Sequence, residues 1–473
     1  MELKIHDQEI RLQKLWKSRK LFKLNQSLKT TAGKRVEVLY CGTENLDSGP
    51  DFKDAIIKLD GALLKGDIEV HLDARGWYAH QHHHDPAYNN VILHVISKKS
   101  KEEMFIERED GVKVHQVYVN IANDSTGLQK TSQTGSEEKR ESFSIVEDCP
   151  LSQTDEIKIL TTIHVAGERR LQEKVAQLQE DLIHASWEQL IYKKIFEALG
   201  YSKNQIPFRK LSEVAPYEMV CSEMQWVSEE MALKKCTALL FGAAGLLPSQ
   251  SKNSEIKLNA ESLDYIAPLE YLWDQMSHRL EIKPMKSYEW QFFRLRPQNF
   301  PTRRLAGMAQ LLLKFYKQGF LTGFEKIFSG NIRDYNRLAS ELESNLLIKA
   351  EGFWTQHYRL DESLDNRVER KDAGLIGKDK ARDIIVNTVI PVIYLYSCET
   401  KDGFLKNSVR ELFGRFPKLA ENSITRGMRQ QLGKPKQIKS SSHQQGLIYL
   451  HKLYCKPLRC SDCLGFTQET KSP

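Results

Sequence analysis

Between Gly49 and Val95 the chain reads GPDFKDAIIKLDGALLKGDIEVHLDARGWYAHQHHHDPAYNNVILHV. Two carboxylates, Asp51 and Glu69, stand eighteen positions apart in this stretch, with His71, His80 and His82 close behind. Carboxylate oxygens suit a hard divalent cation such as Mg²⁺ or Mn²⁺. A cation held this way lowers the pKa of a bound water and stabilises charge on a phosphoryl group. Neutral imidazoles near pH 7 can orient or deprotonate that water. The chemistry these residues suggest is metal-dependent hydrolysis.

The flanking pattern supplies elements to hold them. Apolar residues recur at helical spacing over 6–22, which predicts a first helix. Val36 to Tyr40, Phe52 to Leu59, Gly66 to Leu72, Val91 to Ile96 and Val112 to Val119 read as strands, with Asp60-Gly61 as a turn. On a strand, residues two apart share a face, so Glu69 and His71 point one way and Ile68 and Val70 the other. Asp51 opens the preceding strand. Gly76 to Asn90 is polar and aromatic, a short helix or ordered loop before a strand apolar enough to be buried on both faces. The order is helix, three strands, crossover, strand, which predicts a mixed α/β sheet. Gly49 and Gly66 are expected to serve the backbone.

With Pro50-Asp51 on one strand and Glu69-Val70-His71 on the next, the region resembles the PD-(D/E)XK nuclease superfamily of restriction-endonuclease-like fold. The resemblance implies metal ligation by Asp51 and Glu69, and an added acid from the first helix. Glu9 is placed to supply it, Glu44 less well. His71 stands where the family usually has lysine. The stretch Trp77-Tyr78-Ala79-His80-Gln81-His82-His83-His84 is similar to the histidine-rich turn of very-short-patch repair endonucleases, and there Trp77 and Tyr78 would pack the site or touch a base. Two other readings stand beside this one. His80, His82 and Asp85 can form a cupin-type transition-metal site on a small β-barrel acting on a small molecule. Alternatively, the histidines and Asp85 make a hydrogen-bonded turn, Asp85-Pro86 being a good turn starter. The missing lysine also allows a non-catalytic nucleic-acid-binding protein on a degenerate nuclease fold.

A second constellation lies near the chain's end. Cys455, Cys460 and Cys463 are closely spaced, and Cys398 follows an apolar helix over 380–396, with a kink expected at Pro391. Four thiolates suit structural Zn²⁺ or a [4Fe–4S] cluster. The arrangement resembles the iron–sulfur staple of some helicase-associated and CRISPR-associated nucleases. Unrelated reduced thiols are the plainer alternative.

Arg294, Arg296, Arg303 and Arg304 surround Pro297 and Pro301 at a helix start. They read either as a phosphate-binding cluster or as an interdomain turn. Residues 401–473 hold 14 lysines and arginines against 5 acids, within a chain of net charge +7. That bias suggests nucleic acid as a partner. The start MELKIHDQEIRLQKLW lacks the apolar core of a secretory signal, and no run of eighteen apolar residues occurs, so a cytoplasmic protein without a membrane span is expected.

The chain is predicted to be α+β, with three parts. Residues 1–150 form the sheet domain, ending in a polar linker over 123–143. Residues 151–350 are helical, and 351–473 form a basic helical part with the cysteines. Taken together, GTENLDSGPDF, GDIEVH, HHHDPAYNNVILHV, RLRPQNFPTRRLA and QQGLIYLHKLYC resemble the uncharacterised bacterial family called domain of unknown function 2851. That resemblance implies no particular activity.

Overall fold

The computed structural model describes residues 2–17, 28–45, 49–98, 104–120, 149–250, 260–330, 334–360, 374–433, 435, 437–457 and 459–467. It divides into two compact units in place of the three consecutive parts expected. The first is Met1–Thr162 with Glu421–Pro435 and Leu447–Pro473; the second is Ile163–Ala420 with Lys436–Gly446. The expected linker over 123–143 lies outside the described residues.

In the first unit, helix α1 (Glu2–Lys17) precedes eight strands: β1 (Leu28–Lys29), β2 (Arg35–Tyr40), β3 (Thr43–Glu44), β4 (Phe52–Leu59), β5 (Ala62–His71), β6 (Val91–Ile96), β7 (Ile106–Glu107) and β8 (Lys113–Tyr118). The main path runs β1-β2-β4-β5-β6-β8-β7, with β3 on β4. The β2–β4 and β4–β5 pairs are antiparallel, whereas β5–β6 and β6–β8 are parallel. A bridge between Thr30 and Val117 joins the far sides, so the mixed sheet curls on itself. The parallel pairs set it apart from the antiparallel jelly roll of a cupin. A parallel pair needs a crossover of a dozen residues or more. Residues 72–90 supply it through α2 (Arg75–Ala79) and two short 3₁₀ turns, His82–His84 and Pro86–Tyr88. Leu12, Leu15 and Trp16 of α1 join Phe52, Ile57, Ile68, Val70, Leu93 and Val95 in one core, and Trp16 donates to the Cys41 carbonyl at 3.0 Å. A smaller core of Trp77, Tyr88, Val91, Ile106 and Val114 underlies the crossover.

The second unit is helical around a large apolar core. The expected kink near Pro391 is a π-helical turn, Ile385–Val389, between helices Lys378–Ile384 and Ile390–Glu399. Proline lacks the N–H for the regular bond, and a wider turn absorbs the misfit. One stretch, Glu229–Gln250, is long and apolar enough to cross a membrane, and 67% of its window is buried in the helical unit.

The arginine cluster divides. Arg303 and Arg304, on helix Pro301–Phe315, are buried. Arg303 Nη1 donates to the carbonyls of Trp354 at 2.6 Å and His357 at 2.7 Å. Arg304 donates to Leu375 O, to the Tyr201 hydroxyl and to Asn299 Oδ1. Of the two roles expected for the cluster, these two guanidinium groups take the structural one and satisfy buried carbonyls. Arg294 and Arg296 remain on the surface, Arg294 lying over the Phe293 ring.

Candidate active site

Strand pairing brings the two carboxylates together. Phe52 pairs with Ile68, and one further step of that register sets Asp51 beside Glu69. The Asp51 N–H donates to Glu69 Oε2 at 2.9 Å, and Asp51 Oδ2 accepts from the Val70 N–H at 3.0 Å. Gln13 of α1 holds the other Asp51 oxygen at 2.9 Å. A bulge in β4 follows at once, with Asp54 at φ +58° donating its N–H to Asp67 Oδ1. Bulges of this kind re-aim side chains next to functional sites.

Glu69 and His71 share a face of β5, as expected, and Ile68 and Val70 face the core. Glu69 Oε1 lies 3.2 Å from His82 Nε2 and 3.5 Å from His71 Nε2. His71 Nε2 lies 3.1 Å from His80 Nδ1. The donor atoms of His71, His80 and His82 all stand within 4.8 Å of one another, the one such trio of metal-type ligands among the described residues. His71 and His82 are buried and His80 is exposed, so the cluster opens outward at His80. The crossover makes this possible by turning α2 back over β5. Gly76 passes so close that a Cβ there would lie 2.7 Å from His71 Cγ.

Burial governs the electrostatics. It pushes the Glu69 carboxyl up to about 8. It also raises Asp51 well above the carboxylate range, with Glu69 adding repulsion. Glu9 of α1 adds repulsion to both acids, and its Oε1 accepts from the Leu72 N–H at 3.4 Å. The same burial lowers His82 to about 4 and His71 further, so both imidazoles are neutral at pH 7, the form that binds metal. Among the described residues no lysine or arginine pairs with Asp51 or Glu69.

Glu9 of α1 thus lies near both strand carboxylates. Glu44 instead pairs with Lys17 at 2.6 Å. Asp85 stands apart from the ligand set and caps its own turn by accepting from the Ala87 N–H. Trp77 is buried, donates to the Glu107 carbonyl at 2.9 Å and lies edge-on to His82. Tyr78 donates to the Phe105 carbonyl.

His94 is the member that sequence reading missed. It lies across from Glu69 in the β5–β6 register, is fully buried, and its Nε2 lies 2.9 Å from His71 Nδ1. With His71 Nδ1 as the donor in that contact, His71 Nε2 presents its lone pair to the site. The available signal was one polar residue inside an otherwise apolar strand, VILHVI.

The donors present fit a divalent ion. Two buried acids without a cationic partner call for a proton or a cation, and the buried His82 Nε2, 3.2 Å from Glu69 Oε1, makes no well-directed hydrogen bond. A mixed carboxylate and imidazole set suits Mn²⁺ better than Mg²⁺.

Among the cysteines, Cys455, Cys460 and Cys463 line one pocket, and the fourth thiol there is Cys149. Cys398, expected to complete the set, belongs to the second unit.

Comparison with curated proteins and with solved structures returns no match. The family model described as protein of unknown function (DUF2851) matches residues 9–422. That span takes in Glu9, both strand carboxylates and every histidine of the cluster, and stops short of Cys455. The chain belongs to this DUF2851 family.

Proposed function

We propose that this protein is a metal-dependent hydrolase of nucleic-acid phosphodiester bonds, related to the PD-(D/E)XK nucleases. The observation that carries the reading is the convergence of Asp51 and Glu69 with His71, His80 and His82 at one end of the β4–β5 pair. The arrangement around them agrees with it. A Pro-Asp opens one strand, the next and antiparallel strand carries Glu69-Val70-His71, α1 brings Glu9, and a crossover leads to a parallel strand.

Glu69, His71 and His82 would hold the ion, with Asp51 beside them. When bound, Mn²⁺ supplies a water of lowered pKa and positive charge beside the phosphoryl oxygens. His80, at the exposed mouth, is the group that accepts a proton from the attacking water. His94 holds the His71 ring through Nδ1, and His80 lies 3.1 Å from His71 Nε2, beside the place the ion would take. Lys456, Lys65 and Lys53 all act on Asp54 just past the bulge; the Lys456 hydrogen bond does most to hold that carboxyl below its usual range. Lys53 and Lys65 are exposed there and offer positive charge to a phosphate backbone.

The test is cleavage of labelled single- and double-stranded DNA and RNA in Mn²⁺ and in Mg²⁺. Wild type should cut, and Asp51→Asn and Glu69→Gln should each lose at least ~100-fold in rate while remaining folded. Salt-sensitive binding without cutting, by folded and metal-loaded wild type, would replace this reading with a non-catalytic binding protein.

A further inference from the structure

The pocket formed by Cys149, Cys455, Cys460 and Cys463 is independent of the carboxylate–histidine site. We propose that these four cysteines ligate a [4Fe–4S] cluster. None of them is in a disulfide. Their pocket is otherwise lined by Pro150, Leu151, Tyr454 and Gln431, with no carboxylate or imidazole. Four thiols converging from two distant stretches of chain into an apolar pocket is the donor set of a thiophilic metal centre.

Local geometry presents each sulfur. Cys149 precedes the 3₁₀ turn Pro150–Gln153, and its carbonyl accepts from the Ser152 N–H at 3.0 Å. Cys455 ends the π-turn His451–Cys455, and the Arg459 N–H turns back to the Tyr454 carbonyl at 2.8 Å. Cys460 opens the turn Cys460–Asp462, and the Cys463 N–H closes it on the Cys460 carbonyl at 3.1 Å. The two stretches are pressed together just beside the sulfurs. A Cβ on Gly465 would come within 2.8 Å of the Leu151 side chain. Gln431 Nε2 donates to Cys455 Sγ at 3.9 Å, the kind of outer hydrogen bond that tunes a sulfur ligand.

The separation of the bound sulfurs tells a cluster from a single ion. Tetrahedral zinc, with Zn–S near 2.3 Å, needs its sulfurs about 3.8 Å apart. A cubane gives each thiolate its own iron and so holds the sulfurs farther apart. Each thiol passes its proton to solvent as it ligates a cluster delivered already assembled, and that ligation involves no electron transfer. The first unit is discontinuous in sequence, with the whole helical unit inserted between Cys149 and Cys455. A centre joining those cysteines ties the outgoing and returning segments of the first unit together, closing a very long loop.

The test uses the full chain purified without oxygen. Iron, acid-labile sulfide and zinc are measured alongside the visible spectrum. Wild type should hold about four irons and four sulfides per chain. Cys149→Ser and Cys460→Ser should lose iron and colour, and Cys398→Ser should keep both. Zinc in place of iron, no metal in folded wild type, or loss on Cys398→Ser would overturn the assignment. Should Cys149→Ser fail to fold, the wild-type stoichiometry and the Cys398→Ser result still decide.

Discussion

Burial pushes the Glu69 carboxyl up to about 8, far above its ordinary value of 4.5. The metal-free folded state therefore keeps this proton across a pH range in which the unfolded chain releases it. Stability must fall as pH rises through that range, by at most about 1.4 kcal/mol per pH unit for one proton. His82, held at about 4, acts in the opposite sense. Its folded pKa lies below 6.5, so its contribution is full above 6.5 and is lost as pH drops toward 4. Above pH 6.5 the His82 contribution is complete, and buried Asp51, also raised, acts in the same direction as Glu69. Denaturant titrations of metal-stripped protein should show lower stability at pH 8 than at 6.5, and Glu69→Gln should shrink the difference. A wild type that gains stability over this interval would contradict the burial argument. Asp51, Glu69, His71, His80 and His82 were legible because acid and imidazole at strand spacing leave a local pattern. His94 was not, since its meeting with His71 depends on the β5–β6 register, a non-local pairing.

At the scale of elements, the crossover is what assembles the histidines. The strand bounds Phe52–Leu59 and Val91–Ile96 follow directly from the apolar runs, and helical spacing reveals a first helix, expected over 6–22 and found as Glu2–Lys17. The path of residues 72–90 does not, because an irregular polar segment carries no periodicity. Gly76 records the tightest point of that path. Gly76→Ala should push His71 out of line while leaving the β5–β6 pair intact. Mn²⁺ affinity should weaken by ~10-fold or more with the fold retained, as read by metal titration and circular dichroism. Unchanged affinity would place His71 outside the ligand set. Gly66 is constrained in the same way, since a Cβ there would meet the Asn90 carbonyl at 2.5 Å.

At the scale of the molecule, composition alone misplaced the basic residues and the domain limits. A run of arginines reads the same whether it faces phosphate or buried carbonyls, and only tertiary packing separates the cases. Arg303→Ala should cost roughly 2–4 kcal/mol, because it leaves the Trp354 and His357 carbonyls buried without donors. It should not alter the salt dependence of nucleic-acid binding. Lys53→Ala and Lys65→Ala should do the reverse, each lowering the slope of log affinity against log salt by about 1 without loss of stability. Binding isotherms at several salt concentrations, with thermal melts alongside, check both. The domain limits escaped the sequence for a related reason. A chain that leaves a unit and later returns to it shows no break in composition, and the choice of Cys149 over Cys398 depends on that return.

The measurement that bears most directly on the account is calorimetric titration of Mn²⁺ into metal-stripped protein at pH 7, in buffers of different ionisation heat. One ion should bind per chain with release of up to about one proton, from Glu69 with its pKa near 8. Both should vanish in the Glu69→Gln, His82→Ala double variant. No binding by folded wild type, or equal binding by that variant, would contradict it.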